Sequence, residues 1–123
     1  MARHNILGKW GEEVALETLI SKGYAIRETN WRLHHYEIDI VAMHKNRIVF
    51  AEVKTRSTDE SEALRAIDKR RINRMVTAAN FYVRHYDLPH EVQYDVITVI
   101  GNPNSFTVNH IADAFTAPLR SFR

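Results

Sequence analysis

Two short stretches of this chain carry charge where charge is expensive. Tyr36-Glu37-Ile38-Asp39-Ile40-Val41-Ala42 and, after one turn, Ile48-Val49-Phe50-Ala51-Glu52-Val53-Lys54 are near-continuous runs of β-favouring residues. A carboxylate inside such a strand is unfavourable unless it is paired or holds a cation. Side-chain alternation predicts that Glu37 and Asp39 share one face and that Glu52 and Lys54 share one face. A hairpin turn at Lys45-Asn46-Arg47 brings the two pairs together. Asp39 and Glu52 are hard oxygen donors of the kind Mg²⁺ or Mn²⁺ takes together with water. Such an ion lowers the pKa of a bound water and clamps a phosphate oxygen. Lys54 is placed to orient the attacking water or to stabilise an anionic transition state. The residues alone allow a second reading, in which Asp39 or Glu52 simply pairs with Lys54 on an exposed sheet edge.

The elements that must position these groups follow from periodicity and punctuation. Residues 5–22 read as a helix with Asn5 as N-cap and Gly23 as the stop. At about 100° per residue, Val14, Leu7, Gly11, Ala15, Gly8, Leu19 and Leu16 form one arc. Glu12 falls inside that arc, whereas Glu13 and Glu17 fall opposite with Lys9. Glu12 is therefore expected to point at the sheet or to lie at its border, and Glu13 at solvent. Gly8 and Gly11 on the inner arc signal either a close backbone approach or a frayed first turn. Strands are expected over 24–33, 36–43 and 47–56. A polar loop over 57–63 precedes a second helix over 64–86, whose apolar face carries Ile72, Met75, Val76, Ala79, Tyr82, Val83 and Tyr86. A fourth strand over 92–100, a turn at Gly101-Asn102-Pro103-Asn104, a short strand at Phe106-Thr107-Val108 and a last helical turn over 111–115 complete the chain. The order α-β-β-β-α-β-(β) implies an α/β fold with a mixed sheet flanked by helices. The helical crossover sets strand four parallel to strand three.

Composition narrows the classes. At 123 residues, 45% hydrophobic and 26% charged, the chain suits one globular domain over 1–123. There is no cysteine, which excludes disulfides and thiolate metal sites. No apolar run has the length of a membrane span, and the N-terminus has no signal-peptide pattern, so a cytoplasmic protein is expected. Net charge is only +2, but Lys69-Arg70-Arg71 and Arg74 form a local basic cluster suited to an anionic partner or to a solvated helix face. The seven histidines show no zinc-protease spacing. Walker A, dinucleotide-binding and nucleophile-elbow motifs are absent, and the aromatic residues do not form a stacking platform.

Taken together, Gly8-x-x-Gly11-Glu12-x-x-Ala15, Gly23-Tyr24, Asn30-x-Arg32, Glu37-Ile38-Asp39-Ile40-Val41-Ala42, Phe50-Ala51-Glu52-Val53-Lys54-Thr55-Arg56 and Tyr94-Asp95-Val96-Ile97 resemble the YraN-like bacterial proteins. The likeness spans nearly the whole chain. It implies a restriction-endonuclease-like, PD-(D/E)XK fold of the Holliday-junction-resolvase kind. It further implies Mg²⁺- or Mn²⁺-dependent endonuclease activity on DNA, with branched or damaged DNA among the substrates. Asp39, Glu52 and Lys54 would be the catalytic signature, with Glu12 as the helix acid; Asp39, Glu52 and Glu12 would hold the metal. Lys69, Arg70, Arg71 and Arg74 would hold phosphates. A homodimer is a further expectation, and no membrane partner is expected. Two positions depart from the family pattern. Tyr36 stands where glycine is usual, and the lysine usual early in the second helix is Arg71 or is displaced to Lys69. The alternative function is a non-catalytic nucleic-acid-binding or protein-interaction module on the same scaffold.

Overall fold

The computed structural model describes residues 6–58 and 68–117. The elements are α1 (Ile6–Ser21), β1 (Ala25–Leu33), β2 (Tyr36–His44), β3 (Arg47–Arg56), α2 (Lys69–His85), β4 (Glu91–Asn102) and β5 (Ser105–Phe115). The expected N-cap Asn5, loop positions 59–63 and helix positions 64–67 lie outside the described residues. All five strands join one sheet in the order β1-β2-β3-β4-β5. Only β3 and β4 run parallel, as the helical crossover requires.

Local chemistry explains the punctuation. The α1 C-terminus closes through Gly23 at φ +92, with Gly23 N–H donating to Ile20 and Tyr24 N–H to Leu19. That bond pair is the Schellman pattern, which needs a left-handed residue where Gly23 stands. The β2–β3 hairpin turns on Lys45 and Asn46, both at positive φ, which matches the right-handed twist of its strands. Asp68 caps α2, accepting from Arg71 N–H at 3.0 Å.

The sheet is covered on both faces. Val49 and Ala51 pack with Ala15 and Leu19 of α1, while Ile48 and Phe50 pack with Met75, Val76, Ala79 and Tyr82 of α2. Gly11 is where α1 comes closest to β3: a methyl group there would collide with the Thr55 side chain. The close-approach reading of that glycine is therefore the correct one. The frayed-turn reading fails at Gly11, which is buried inside α1.

Alternation breaks in β2. Ile38 belongs to the α2-side cluster and Ile40 to the α1-side cluster, although residues two apart in a strand ordinarily share a face. The break falls at Asp39. On β1, Asn30 lies level with it, between the pairs Thr29↔Ile40 and Trp31↔Ile38, and adopts φ +53. Pairing of β2 with β3 stops one residue earlier, at Ile40↔Ala51.

The C-terminal part differs from expectation. Residues 111–115 are not a helical turn; they continue β5, which pairs with β4 from Asn102↔Ser105 to Tyr94↔Phe115. Five residues are too few to nucleate a helix alone, and the free edge of β4 offers their backbone a full set of partners. The register shifts between Tyr94 and Val96, and Asp113 takes φ +54 in the bulge.

A buried polar knot ties β1, β4 and β5 together. Asp95 is 0% exposed. Its Oδ2 accepts from Tyr24 Oη at 2.9 Å and from His110 Nε2 at 2.7 Å; its Oδ1 accepts from Gln93 Nε2 at 2.9 Å and from Asp113 N–H at 3.0 Å. Since the carboxylate only accepts, His110 carries its proton on Nε2, and Nδ1 accepts from Lys22 Nζ at 2.9 Å. Burial by itself raises the Asp95 pKa, but the four donors outweigh it and hold the group below its ordinary range. A depressed carboxylate stabilises the fold above its unfolded pKa and loses that contribution as pH falls through the folded value. Asp95→Asn is therefore expected to cost about 3–5 kcal/mol near neutral pH. In urea melts, that difference from wild type should shrink below about pH 4, where the unfolded carboxyl is protonated.

Candidate metal centre

Asp39 occupies the fork where β2 and β3 part. Its Oδ2 accepts from Val53 N–H at 2.8 Å, so the carboxylate replaces the ladder bond that β2 no longer supplies. Across the fork, Glu52 and Lys54 sit on the central strand β3, 7% and 8% exposed. Lys54 Nζ lies 3.2 Å from Glu52 Oε2. The same oxygen accepts from Arg71 Nη2 at 2.6 Å and Arg71 Nε at 3.0 Å. The expected partnership of Lys54 with Glu52 thus exists, but it is buried and central, and Arg71 shares it. No Asp39–Lys54 ion pair forms among the described residues. An exposed sheet edge is excluded as the setting.

Glu12 is half-buried and Glu13 exposed, as the helical arc indicates. Glu12 Oε1 accepts from Asn30 Nδ2 at 3.3 Å, linking α1 to the residue level with Asp39. Glu12 and Asp39 together line two cavities. One, of about 470 Å³, also takes in Lys9, Glu13, Asn30, Arg32 and Glu37; the other, of about 230 Å³, takes in Lys54, Thr55, Arg56 and Arg71. A third cavity of about 160 Å³ lies between Asp39, Glu52, Arg71, Arg74, Tyr36 and Glu37. Asp39 is common to all three.

Electrostatics matches that crowding. Burial, the Glu52 charge and, more weakly, Glu12 and Glu37 push the Asp39 carboxyl up to about 8, against the lowering effect of the Val53 amide. Burial pushes the Lys54 ammonium below its ordinary range, and Glu52 opposes that shift.

The donor set suits a hard divalent ion. Among the described residues, Asp39 and Glu52 are each bonded through one oxygen, Oδ2 and Oε2, and the two side chains line one cavity. No three acidic or histidine side chains among the described residues are gathered into a cage. Two carboxylates with water are what Mg²⁺ ordinarily takes from a protein. As placed, Glu12 is turned to Asn30 and not to a three-carboxylate shell.

The basic cluster divides. Lys69 and Arg70 are exposed in the first turn of α2 and line a surface groove of about 450 Å³ with Tyr36, Asn73, Arg74 and Thr77. Arg74 Nη2 donates to the His35 carbonyl at 3.1 Å, and its guanidinium lies 5.5 Å from the Tyr36 ring centroid. Tyr36, at the position where glycine is usual, packs beside α2 against Phe81 and Arg74. Arg71 points inward to Glu52. Sequence reasoning missed that role, and it missed Asn30, whose positive φ and bond to Glu12 no pattern announces. The run Asp68-Lys69-Arg70-Arg71 held a usable signal: a cap at Asp68 makes Arg71 the third helical residue and turns it back toward the sheet.

A pair of acids on adjoining strands, backed by a buried lysine on a mixed sheet, defines a candidate metal-binding α/β domain. Comparison with known proteins places it further. Residues 11–99 match the family described as Uncharacterised protein family UPF0102, and the chain belongs to that family. It is 42% identical over 121 residues to a UPF0102 protein of Parabacteroides distasonis, covering 98% of this chain and 100% of that one. With a Bacteroides thetaiotaomicron UPF0102 protein the identity is 46% over 120 residues, 97% of this chain and 99% of the relative. A Flavobacterium psychrophilum UPF0102 protein shares 43% over 116 residues, 94% and 98% of the two chains. The resemblance to the YraN-like proteins is thus borne out as family membership. No helix among the described residues is long and apolar enough to cross a membrane.

The raised Asp39 carboxyl has a testable sign. The folded state holds its proton to higher pH than the unfolded state, so this group's contribution is fully present below about pH 4 and is lost as pH rises toward about 8. In a chelator, the melting temperature of Asp39→Asn relative to wild type should therefore climb between those limits and level off above them. A difference that stays flat with pH would show that Asp39 titrates as an ordinary surface acid.

Proposed function

We propose that this chain is an endonuclease that hydrolyses DNA phosphodiester bonds with Mg²⁺ or Mn²⁺, on a scaffold of the PD-(D/E)XK kind. The observation that supports the reading best is the fork itself: Asp39 and Glu52 line one cavity, each bonded through a single oxygen, beside the buried Lys54. A bound divalent ion there supplies an acidified water and a clamp on a phosphate oxygen. Asp39 and Glu52 hold the ion, and Glu12 supports it from α1. Lys54 donates toward the attacking water or the phosphate oxygen that gains charge. Lys69, Arg70 and Arg74, on the same side of the sheet as Glu52, hold flanking phosphates. Branched and damaged DNA are the substrates this reading favours.

Asp39→Asn keeps size and the acceptor for the Val53 amide but removes the charge a metal needs. It should abolish Mg²⁺-dependent nicking of plasmid DNA without lowering apo stability. Wild type should gain melting temperature in millimolar Mg²⁺ or Mn²⁺ by ligand linkage, and the variant should not. A purely structural ion pair predicts otherwise. Wild type would then be indifferent to both ions, while Glu52→Gln, which strips Lys54 of its partner, would cost about 3–5 kcal/mol.

The DNA surface is tested separately. Replacing Lys69, Arg70 and Arg74 together with glutamine should weaken duplex binding. It should also flatten the dependence of log affinity on log salt by roughly 0.9 for each phosphate no longer neutralised. An unchanged slope would place the DNA on another face.

A further inference from the structure

We propose that Arg71 is an exchangeable counter-ion: it holds Glu52 while no metal is bound and passes to a substrate phosphate when metal arrives. Metal and DNA binding are then positively linked through one side chain. The inference rests on the metal-site reading above and departs from the assignment of Arg71 as a simple phosphate contact.

Three observations carry it. First, Arg71 places both Nε and Nη2 on a single oxygen, Glu52 Oε2, which Lys54 Nζ also contacts. One carboxylate thus faces two cations. Once a metal has displaced the Asp39 proton, two ionised acids stand against Lys54 and Arg71, a set already balanced without the ion. A divalent ion on Asp39 and Glu52 leaves an excess of positive charge, and the repulsion falls on whichever cation can move. Second, that cation is Arg71. The Lys54 side chain is 9% exposed and rises from a central strand, whereas the Arg71 side chain is 43% exposed and rises from the first turn of α2. Third, Arg71 and Asp39 are the two residues that line both the cavity beside Tyr36 and Arg74 and the cavity beside Glu12 and Lys54. The guanidinium stands between them. Turned away from Glu52, it joins the two spaces and faces the side where Lys69, Arg70 and Arg74 lie. A planar fork suited to a carboxylate is equally suited to a phosphate.

The test measures binding. Mn²⁺ affinity is taken by calorimetry, and affinity for a labelled DNA duplex by stopped-flow anisotropy before turnover, at constant ionic strength, for wild type, Arg71→Gln and Arg71→Lys. Mn²⁺ should raise the DNA affinity of wild type by about tenfold, within the usual range of coupling between sites. Arg71→Gln should bind Mn²⁺ several-fold more tightly than wild type, because the competing cation is gone, and its DNA affinity should gain clearly less from metal than that of wild type, keeping only the ion's own contact to phosphate. Arg71→Lys keeps the charge but not the fork, and should fall between. If the glutamine variant does not fold, the lysine variant carries the test: it must bind Mn²⁺ more tightly than wild type. Variants that bind Mn²⁺ no more tightly than wild type, or that keep its full coupling to DNA, overturn the exchange and leave the metal site standing. Folded proteins that all fail to bind Mn²⁺ overturn the metal-site reading, and the exchange with it.

Discussion

Two acidic side chains share a fork in the middle of a sheet, and much of the architecture answers that one constraint. A carboxylate pair in a partly dry place is unfavourable until something positive joins it. Here the answer is distributed. The β2–β3 ladder ends early, so Asp39 takes a backbone amide. Lys54 comes from the same strand as Glu52, and Arg71 comes from α2. The helix that supplies Arg71 is fixed by its own apolar face on Phe50, Val41 and Ile38, so the packing of one cluster sets the charge balance of the site.

Carboxylates one register step apart on the central strands are bonded differently: Asp95 on β4 lies level with Ala51, next to Glu52. At the fork, Asp39 and Glu52 are each bonded through a single oxygen. At the Asp95 knot, each carboxylate oxygen accepts two hydrogen bonds and no capacity is left over. The buried Asp95 and the half-buried Asp39 therefore have opposite characters. Asp95 is held ionised by donors around it, and Asp39 is held toward the protonated form by burial and neighbouring charge. That contrast, and not burial alone, singles out Asp39 as the group poised for a ligand.

Much of this was readable from residue order. Strands built on Ile38–Ala42 and Ile48–Val53, a helix ended by Gly23, and a crossover that makes β4 parallel to β3 all follow from local period and punctuation, and the structure has them. The facing of Glu12 and Glu13 also followed, because α1 is regular over its whole length. What could not be read depended on contacts distant in sequence. Residues 111–115 look helical by composition, but β4 offers a free edge, and pairing there overrides a weak local preference. Alternation predicted a single face through Asp39, and the break at Asn30 and Asp39 needs both strands to be seen at once. Arg71 counts in the sequence as one of four basic residues clustered over 69–74, yet its fork is turned inward by the position of a cap at Asp68. Asp95 gave no signal, since its donors come from positions 24, 93, 110 and 113.

The bulges at the two outermost strands have a consequence for behaviour at high concentration. A sheet of five strands has two open rims, and an open rim is a template on which another molecule can add a strand. In β1 the register shifts between Ile26 and Glu28 and Asn30 turns left-handed, and in β5 the bulge carries Asp113, also left-handed. Neither rim is a long, flat, uninterrupted row of amides and carbonyls. Molecules meeting rim to rim find the register broken, so continuation of the sheet into fibrillar aggregates is disfavoured by the same kinks that bend the strands around their polar side chains.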